Sequence, residues 1–279
     1  MRAGLLAAVV VPVTRFPLTS DEEISVRHLR NYLGGFDRYI IGPKSLPKEF
    51  SDFKLKRFPA EYFTGVYEYN RLLLTEQFYR AFAAYEYILI YQLDCLVFAS
   101  NLDEWCRKGW DYVGAPWLKN IANPEEGFST VGNGGFSLRR VRSALAVFHS
   151  KVPAEEVHRA PPGRLRSIYL RINPSSPIRR FVRKAKTLFH FLIYKNNVPL
   201  RAQQVAERNY HEDCFWSYEA RQYVKDFRIP EPVEALAFSF ETAPRYCLTA
   251  NSGRMPFGCH AWTKYDRSFW EPFLLPPTG

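Results

Sequence analysis

Tyr87-Ile88-Leu89-Ile90-Tyr91-Gln92-Leu93-Asp94 is a near-continuous apolar run that stops on a carboxylate. A strand wetted on one face would alternate apolar with polar residues. A run without alternation reads as a strand buried on both faces, the habit of parallel sheets covered by helices. The chain on either side supplies the rest of such a sheet. Leu5 to Val13 is a β-branched first strand, and Ser20-Asp21-Glu22-Glu23 is a capping box that opens a helix through about Leu33. Tyr39 to Ile41 is a short strand, and Asn70 to Tyr85 reads as one helix with Leu74, Phe78 and Phe82 at i, i+4, i+8. Asp111–Gly114 and Gly135–Leu138 are further short strands, and Arg139–His149 is helical. Alternating strands and helices predict an α/β fold with a mostly parallel central sheet flanked by helices.

The chain of 279 residues, 47% of them apolar, is long enough for one large α/β domain spanning 1–279. Its net charge of +10 is concentrated: between Arg159 and Lys195 there are ten Lys or Arg and no Asp or Glu. A Pro- and Gly-marked stretch from Pro153 to Gly163 opens this region, read as a basic helical insertion over about 153–200. Within it, 178–194 has the pattern of an amphipathic helix with a basic face. Such a face can lie on an anionic membrane surface; the plainer reading is a solvated helix covering a core edge. Nucleic acid is excluded as a partner, because no helix-turn-helix, zinc-finger or RNP-type pattern accompanies the charge. The five cysteines show no CxxC spacing, which argues for a reducing compartment. The apolar N-terminus lacks a small-residue cleavage site and no run is long enough to span a bilayer, so the expected location is cytoplasmic, peripheral on the inner face of the membrane.

Four features carry chemistry. Asp94 stands where the most apolar strand runs out, and ligands of open α/β sheets bind at the carboxyl ends of strands. A carboxylate there can hold a divalent cation that bridges a diphosphate; alone, it would equally cap a turn. Gly132-Asn133-Gly134-Gly135 has three glycines in four residues, fitting neither a dinucleotide fingerprint nor a P-loop. Glycine lets backbone approach a ligand, or simply makes a tight turn. Glu212-Asp213 is an acidic pair beside Phe215 and Trp216. Neighbouring carboxylates can be held at different pKa values, leaving one as general base, and the aromatics offer a sugar platform; the plainer reading is an acidic helix start. His260, in Pro256-Phe257-Gly258-Cys259-His260-Ala261-Trp262, can be the nitrogen ligand of a manganese-type site or a structural histidine. Cys214 and Cys259 read as packing residues.

Together these residues resemble a family. Gly132-Asn133-Gly134-Gly135-Phe136-Ser137-Leu138-Arg139 looks like the glycine motif of GT-A-fold glycosyltransferases, notably the β-1,4-galactosyltransferase group. Gln92-Leu93-Asp94 looks like a degenerate form of their DxD metal motif. Glu212-Asp213 resembles their acidic catalytic motif, and His260 their late metal-binding histidine. With Tyr69-Asn70 and the Pro256–His260 ending, the set is most similar to a bacterial family of predicted surface-polysaccharide glycosyltransferases, labelled only as a domain of unknown function. The resemblance covers nearly the whole chain except the basic insertion.

It implies a GT-A-like fold and an inverting, metal-assisted transfer of a sugar from a nucleotide-sugar donor, a UDP-sugar first among them, to a glycan or lipid-linked acceptor. Asp213, with Glu212 beside it, would be catalytic. Pro12, Val13, Thr14, Asn70, Gln92, Asp94, Gly134 and Gly135 would border the donor. Phe215 and Trp216 would face the acceptor, and Asp94 with His260 would bind Mn²⁺ or Mg²⁺. The first acid of DxD is Gln92 here, so the metal rests on fewer carboxylates. Two alternatives stand beside this reading: a sugar-nucleotide-forming nucleotidyltransferase, although Val13-Thr14-Arg15-Phe16-Pro17 is not its phosphate loop, and a non-catalytic membrane- or polyanion-binding module.

Overall fold

The computed structural model describes residues 5–42, 45–150 and 211–277. The expected insertion at 153–200 and its basic run lie outside the described residues.

Eleven strands appear among the described residues: β1 (Leu5–Pro12), β2 (Asp37–Ile41), β3 (Lys54–Lys56), β4 (Tyr85–Tyr91), β5 (Leu96–Val97), β6 (Tyr112–Val113), β7 (Pro116–Leu118), β8 (Phe128–Val131), β9 (Phe136–Arg140), β10 (Ser239–Phe240) and β11 (Gly258–Cys259). Six of them form one sheet in the order β3-β2-β1-β4-β9-β6. The apolar runs occupy its centre, as continuous hydrophobicity requires: Ala7–Val11 and Tyr87–Tyr91 are buried throughout. The pairings β3–β2, β2–β1 and β1–β4 are parallel, whereas β4–β9 and β9–β6 are antiparallel. The expected mostly parallel sheet is therefore a mixed one. The reversal comes from the antiparallel β7–β8 hairpin, which turns the chain back just before the glycine segment.

Helices flank this sheet. Helix α1 (Ser20–Leu33) opens on a capping box, but one residue earlier than the sequence reading: Thr19 is the N-cap and Glu22 its partner. Thr19-x-x-Glu22 and Ser20-x-x-Glu23 both fit the pattern, and only the backbone distinguishes them. The helix expected over 70–85 is two helices, α2 (Val66–Leu73) and α3 (Glu76–Arg80). Thr75 breaks it: its hydroxyl caps the second by accepting from the Phe78 N–H at 3.2 Å. Leu74, Phe78 and Phe82 nevertheless share the core, which is why the apolar spacing runs through the break. Helices α4 (Leu102–Arg107) and α5 (Val141–Phe148) pack on β1 and β4 respectively.

A second, three-stranded sheet runs β10-β11-β5 over its own small core of Leu96, Phe240, Cys259, Trp262 and Trp270. Asp94 lies in the short turn between β4 of the large sheet and β5 of the small one. No helix among the described residues is long and apolar enough to cross a membrane.

Candidate active site

Strand register assembles the site. In the antiparallel β4–β9 pair, Tyr91 faces Phe136, so Gln92 meets Gly135, and the Gln92 N–H donates to the Gly135 carbonyl at 2.9 Å. In the antiparallel β5–β11 pair, Leu96 faces Cys259, which brings His260 beside the Asp94 turn. The Trp262 N–H donates to the Asp94 carbonyl at 3.1 Å and ties the two segments. In the parallel β10–β11 pair, Phe240 faces Cys259, so Glu241 stands next to His260. Residues 92–94, 133–135, 241 and 260 thus meet where the two sheets join.

Around the His260 ring, Nε2 lies 3.3 Å from the Gln92 Oε1 and 3.4 Å from the Asp94 Oδ1. Nδ1 lies 2.9 Å from the Glu241 Oε1 and 3.2 Å from the Asn133 Nδ2. Burial opposes a charge on His260, but the carboxylates of Asp94 and Glu241 override it and raise its pKa to about 10. Burial likewise opposes the Asp94 charge, and the imidazolium overrides it, holding that carboxyl below its ordinary value. The Asp94 Oδ1 is shielded from solvent yet has no hydrogen-bond partner, while the side chain as a whole is 45% exposed. A carboxylate oxygen shielded from solvent, next to an imidazole nitrogen and an amide oxygen, is a donor set that fits a divalent cation. Cys95 lies within the same cluster. Burial pushes its thiol far up, and its Sγ donates to the Gly135 carbonyl, so it does not act as a thiolate ligand.

The glycines are needed for space. A Cβ on Gly135 would sit 2.1 Å from the His260 Nε2, one on Gly134 2.8 Å from a Glu212 oxygen, and one on Gly132 2.3 Å from the Trp117 indole. Each glycine therefore receives a different side chain, two of them from the acidic pair and the histidine. Asn133 between them is buried and locks the turn: its Oδ1 accepts from the Gly135 and Phe136 N–H groups, each at 2.8 Å. Its backbone N–H and carbonyl both bond the Tyr112 hydroxyl.

The acidic pair divides. Glu212 is wholly buried and accepts two bonds from the Arg139 guanidinium, at 2.7 and 2.6 Å. Arg139 is itself buried and further held by the Tyr79 hydroxyl and the Ser137 Oγ. Burial raises the Glu212 pKa to about 7 against the pull of Arg139. Enclosed in this pair, Glu212 has no surface for an acceptor, and the expectation that it could serve as a catalytic alternate to Asp213 is corrected. The Asp213 Oδ1 accepts from the Cys214 N–H at 2.9 Å. Burial first, then the charge of Glu241, raises its pKa, against His211 and Arg139.

Burial also bears on the aromatic pair. Phe215 and Trp216 are core residues, with Trp216 only 1% exposed and packed against Tyr79, Phe148 and Phe227, so neither presents a face to an acceptor. Asn70 is half-buried, and its Oδ1 accepts from the Glu212 N–H at 3.3 Å. Of the strand-one residues, Val13 is buried while Thr14 is exposed and Pro12 lies between. Sequence reasoning missed Glu241 and Asn133. Glu241 carries the signal that identified Asp94, a carboxylate directly after an apolar strand. A separate cavity of about 650 Å³ between α1 and the C-terminal tail, lined in part by Phe16, Arg27, Phe50 and Pro276, contains none of these residues.

Among solved structures, the chain is similar to a glycosyltransferase involved in the glycosylation of the major capsid of PBCV-1. The two are 12% identical, with 96% of this chain and 98% of that one covered and a TM-score of 0.42. It is also similar to the catalytic domain of Drosophila β1,4-galactosyltransferase 7 in complex with xylobiose, at 19% identity, 51% of this chain and 52% of that one covered, and a TM-score of 0.29. No curated protein is a significant sequence match. A family model described as "Protein of unknown function (DUF5672)" matches residues 52–260, a span that includes Asp94, the glycine turn and Asp213 and ends on His260. The chain belongs to the DUF5672 family.

Proposed function

We propose that the chain is a GT-A-type glycosyltransferase that moves a sugar from a nucleotide-sugar donor to a hydroxyl of a glycan or lipid-linked acceptor. The observation that carries this reading is the meeting of Asp94, Gln92 and His260 beside a three-glycine turn, with the raised carboxyl of Asp213 coupled by charge to Glu241 at the same site. A carboxylate with one solvent-shielded oxygen and an imidazole suit Mn²⁺ or Mg²⁺ on the diphosphate of the donor. Such a cation, held by Asp94 and His260 with Gln92 beside them, supplies positive charge to a diphosphate leaving group.

The chain's own residues do the rest. Asp213 takes the proton of the acceptor hydroxyl as that oxygen bonds to the anomeric carbon. The bond from that carbon to the diphosphate breaks, its electron pair leaving with the diphosphate, and the configuration inverts. A pKa raised by burial and by Glu241 moves Asp213 toward the working pH of a general base. The glycine turn makes the room in which His260 and Glu212 come up against it.

A screen of UDP-, GDP- and dTDP-sugars, with and without Mn²⁺, tests the reading. The expected result is turnover of one nucleotide class, stimulated by Mn²⁺ and lost in Asp94→Ala. Activity toward none of them, or activity indifferent to Asp94→Ala and to chelator, would overturn it.

A further inference from the structure

We propose that Glu241 is the positioning residue of the cation site: it fixes the His260 imidazole so that Nε2 presents a lone pair toward Asp94 and Gln92. The inference rests on the cation-assisted reading above.

A neutral imidazole can offer only one nitrogen to a cation, and the other must carry the proton. The His260 Nε2 faces the Asp94 and Gln92 oxygens, so the cation-competent ring carries its proton on Nδ1. Two groups face Nδ1, and they ask opposite things of it. Asn133 turns its amide nitrogen toward the ring at 3.2 Å, because its oxygen is already occupied by the Gly135 and Phe136 N–H groups. An amide N–H can only donate, which would require Nδ1 to accept and move the ring proton to Nε2. Glu241, at 2.9 Å, can only accept when ionised, which requires the proton on Nδ1. Glu241 therefore selects the ring state that binds a cation, and Asn133 the state that does not.

Position in the fold supports this division of roles. Glu241 follows β10, and the parallel β10–β11 pairing sets it beside His260 rather than beside Asp94. The His260 N–H donates to the Phe240 carbonyl at 3.0 Å, fixing the two side chains at the same level. The ring lies between Glu241, on Nδ1, and Asp94, on Nε2, and Glu241 is not among the residues whose ligand atoms lie close together there. A carboxylate that receives the outer N–H of a ligating histidine orients the ring and raises its basicity.

The test is a Mn²⁺ titration of the purified chain, followed by the paramagnetic resonance signal of free Mn²⁺. It compares the parent with Glu241→Gln, Glu241→Ala and Asp94→Ala at one pH, each variant also checked by thermal melting. Glu241→Ala should bind Mn²⁺ about 10–100-fold more weakly while still melting in one cooperative transition. Glu241→Gln should fall between it and the parent, since an amide oxygen still accepts the Nδ1–H but without charge. The nitrogen modulation of the bound Mn²⁺ should weaken in Glu241→Ala. Parental affinity in Glu241→Ala, with loss only in Asp94→Ala, would overturn the role of Glu241 and leave the cation site standing. Abolished binding in Glu241→Gln, equal to Asp94→Ala, would make Glu241 a direct ligand and overturn the positioning role. Absence of Mn²⁺ binding by the parent, or parental binding in Asp94→Ala, would overturn the cation reading itself.

Discussion

Glu212 and Asp213 are adjacent in sequence and sit in regions built on opposite plans. Around Glu212 the charge is answered: Arg139, Tyr79 and Ser137 form a buried network with it. Around Asp213, Asp94 and His260, the carboxylates outnumber the one imidazole set among them. Asp213 feels Glu241, and the solvent-shielded Asp94 oxygen has only the His260 ring, at 3.4 Å, beside it. A satisfied network is what holds a segment still; an under-satisfied cluster is where a ligand completes the set. The division also explains why the chain needs two carboxylates. One is fixed by Arg139, and in being fixed it delivers the other to the junction of the two sheets.

The largest expected effect separates the two carboxylates by function. Asp213→Asn should lower the transfer rate by about 10²–10⁴-fold, the range for loss of a general base, while donor affinity stays near that of the parent. Steady-state rates with donor-binding titration check this, and a parental rate in the variant would remove Asp213 from the mechanism. Because the Asp213 pKa is raised, activity should fall on the acid side at a pH above that of an ordinary aspartate.

Next in size is the closed network. Arg139→Ala leaves the buried Glu212 carboxyl without its partner and should cost about 3–5 kcal/mol of stability. Changing both partners to apolar residues of similar volume, Arg139→Met with Glu212→Leu, should restore most of it, because no uncompensated charge remains. Chemical denaturation of the three proteins decides the matter. A double variant as unstable as the single one would mean that the pair is needed for more than mutual neutralisation.

The closed region and the open cluster also differ in how well the sequence announced them. The apolar runs of β1 and β4 declared a sheet buried on both faces, and Asp94, the glycines, Asp213 and His260 stood out as residue types in order. What the sequence could not show is which partner each would meet. The Arg139–Glu212 pair joins residues far apart along the chain, and Arg139 in isolation is one basic residue at the end of a strand. Glu241 acquires its place only from the pairing of two-residue strands, β10 with β11, which are too short to carry a periodic signal. Phe215 and Trp216 misled because an aromatic beside an acid reads the same whether it lines a groove or fills a core. The helix over 70–85 misled because its apolar spacing survives the break at Thr75.

The glycine turn is the seam between the two regions, and a methyl group placed on either side of it probes them separately. Gly135→Ala pushes into the His260 ring, with only 2.1 Å available at Nε2. Overpacking of this kind costs about 1–3 kcal/mol, and here it falls on the nitrogen that faces Asp94, so Mn²⁺ affinity should drop with it. Gly134→Ala pushes instead into the Glu212 carboxylate, at 2.8 Å, and should lower stability more than it lowers Mn²⁺ affinity. Parallel melts and Mn²⁺ titrations of the two variants would show the two sides as distinct; the same pattern in both would merge them.

The contrast between answered and unanswered charge recurs, at its smallest, in two histidines, one buried and one part-buried. His260 is held protonated by its carboxylates, whereas His28 is kept neutral. Burial lowers the His28 pKa, against its bond to the Val97 carbonyl. Its Nδ1–H donates to that carbonyl at 2.9 Å, and its Nε2 accepts from the Leu275 N–H at 3.0 Å, pinning the C-terminal tail to α1. Protonating Nε2 would destroy the second bond, so the folded state takes up the proton less readily than the unfolded chain, whose histidine has the ordinary value of 6.5. The stability that His28 contributes is therefore fully present above that value and is lost as pH falls below it. His260 pulls the other way: raised to about 10, it contributes stability that is present below 6.5 and lost as pH rises through its folded value. Only the difference between the parent and His28→Gln isolates the first effect. Between about pH 7 and pH 5 the parent's melting temperature should fall more steeply than that of His28→Gln, although the variant starts lower for want of its bonds. Equal slopes would mean that the tail is not held by a neutral imidazole.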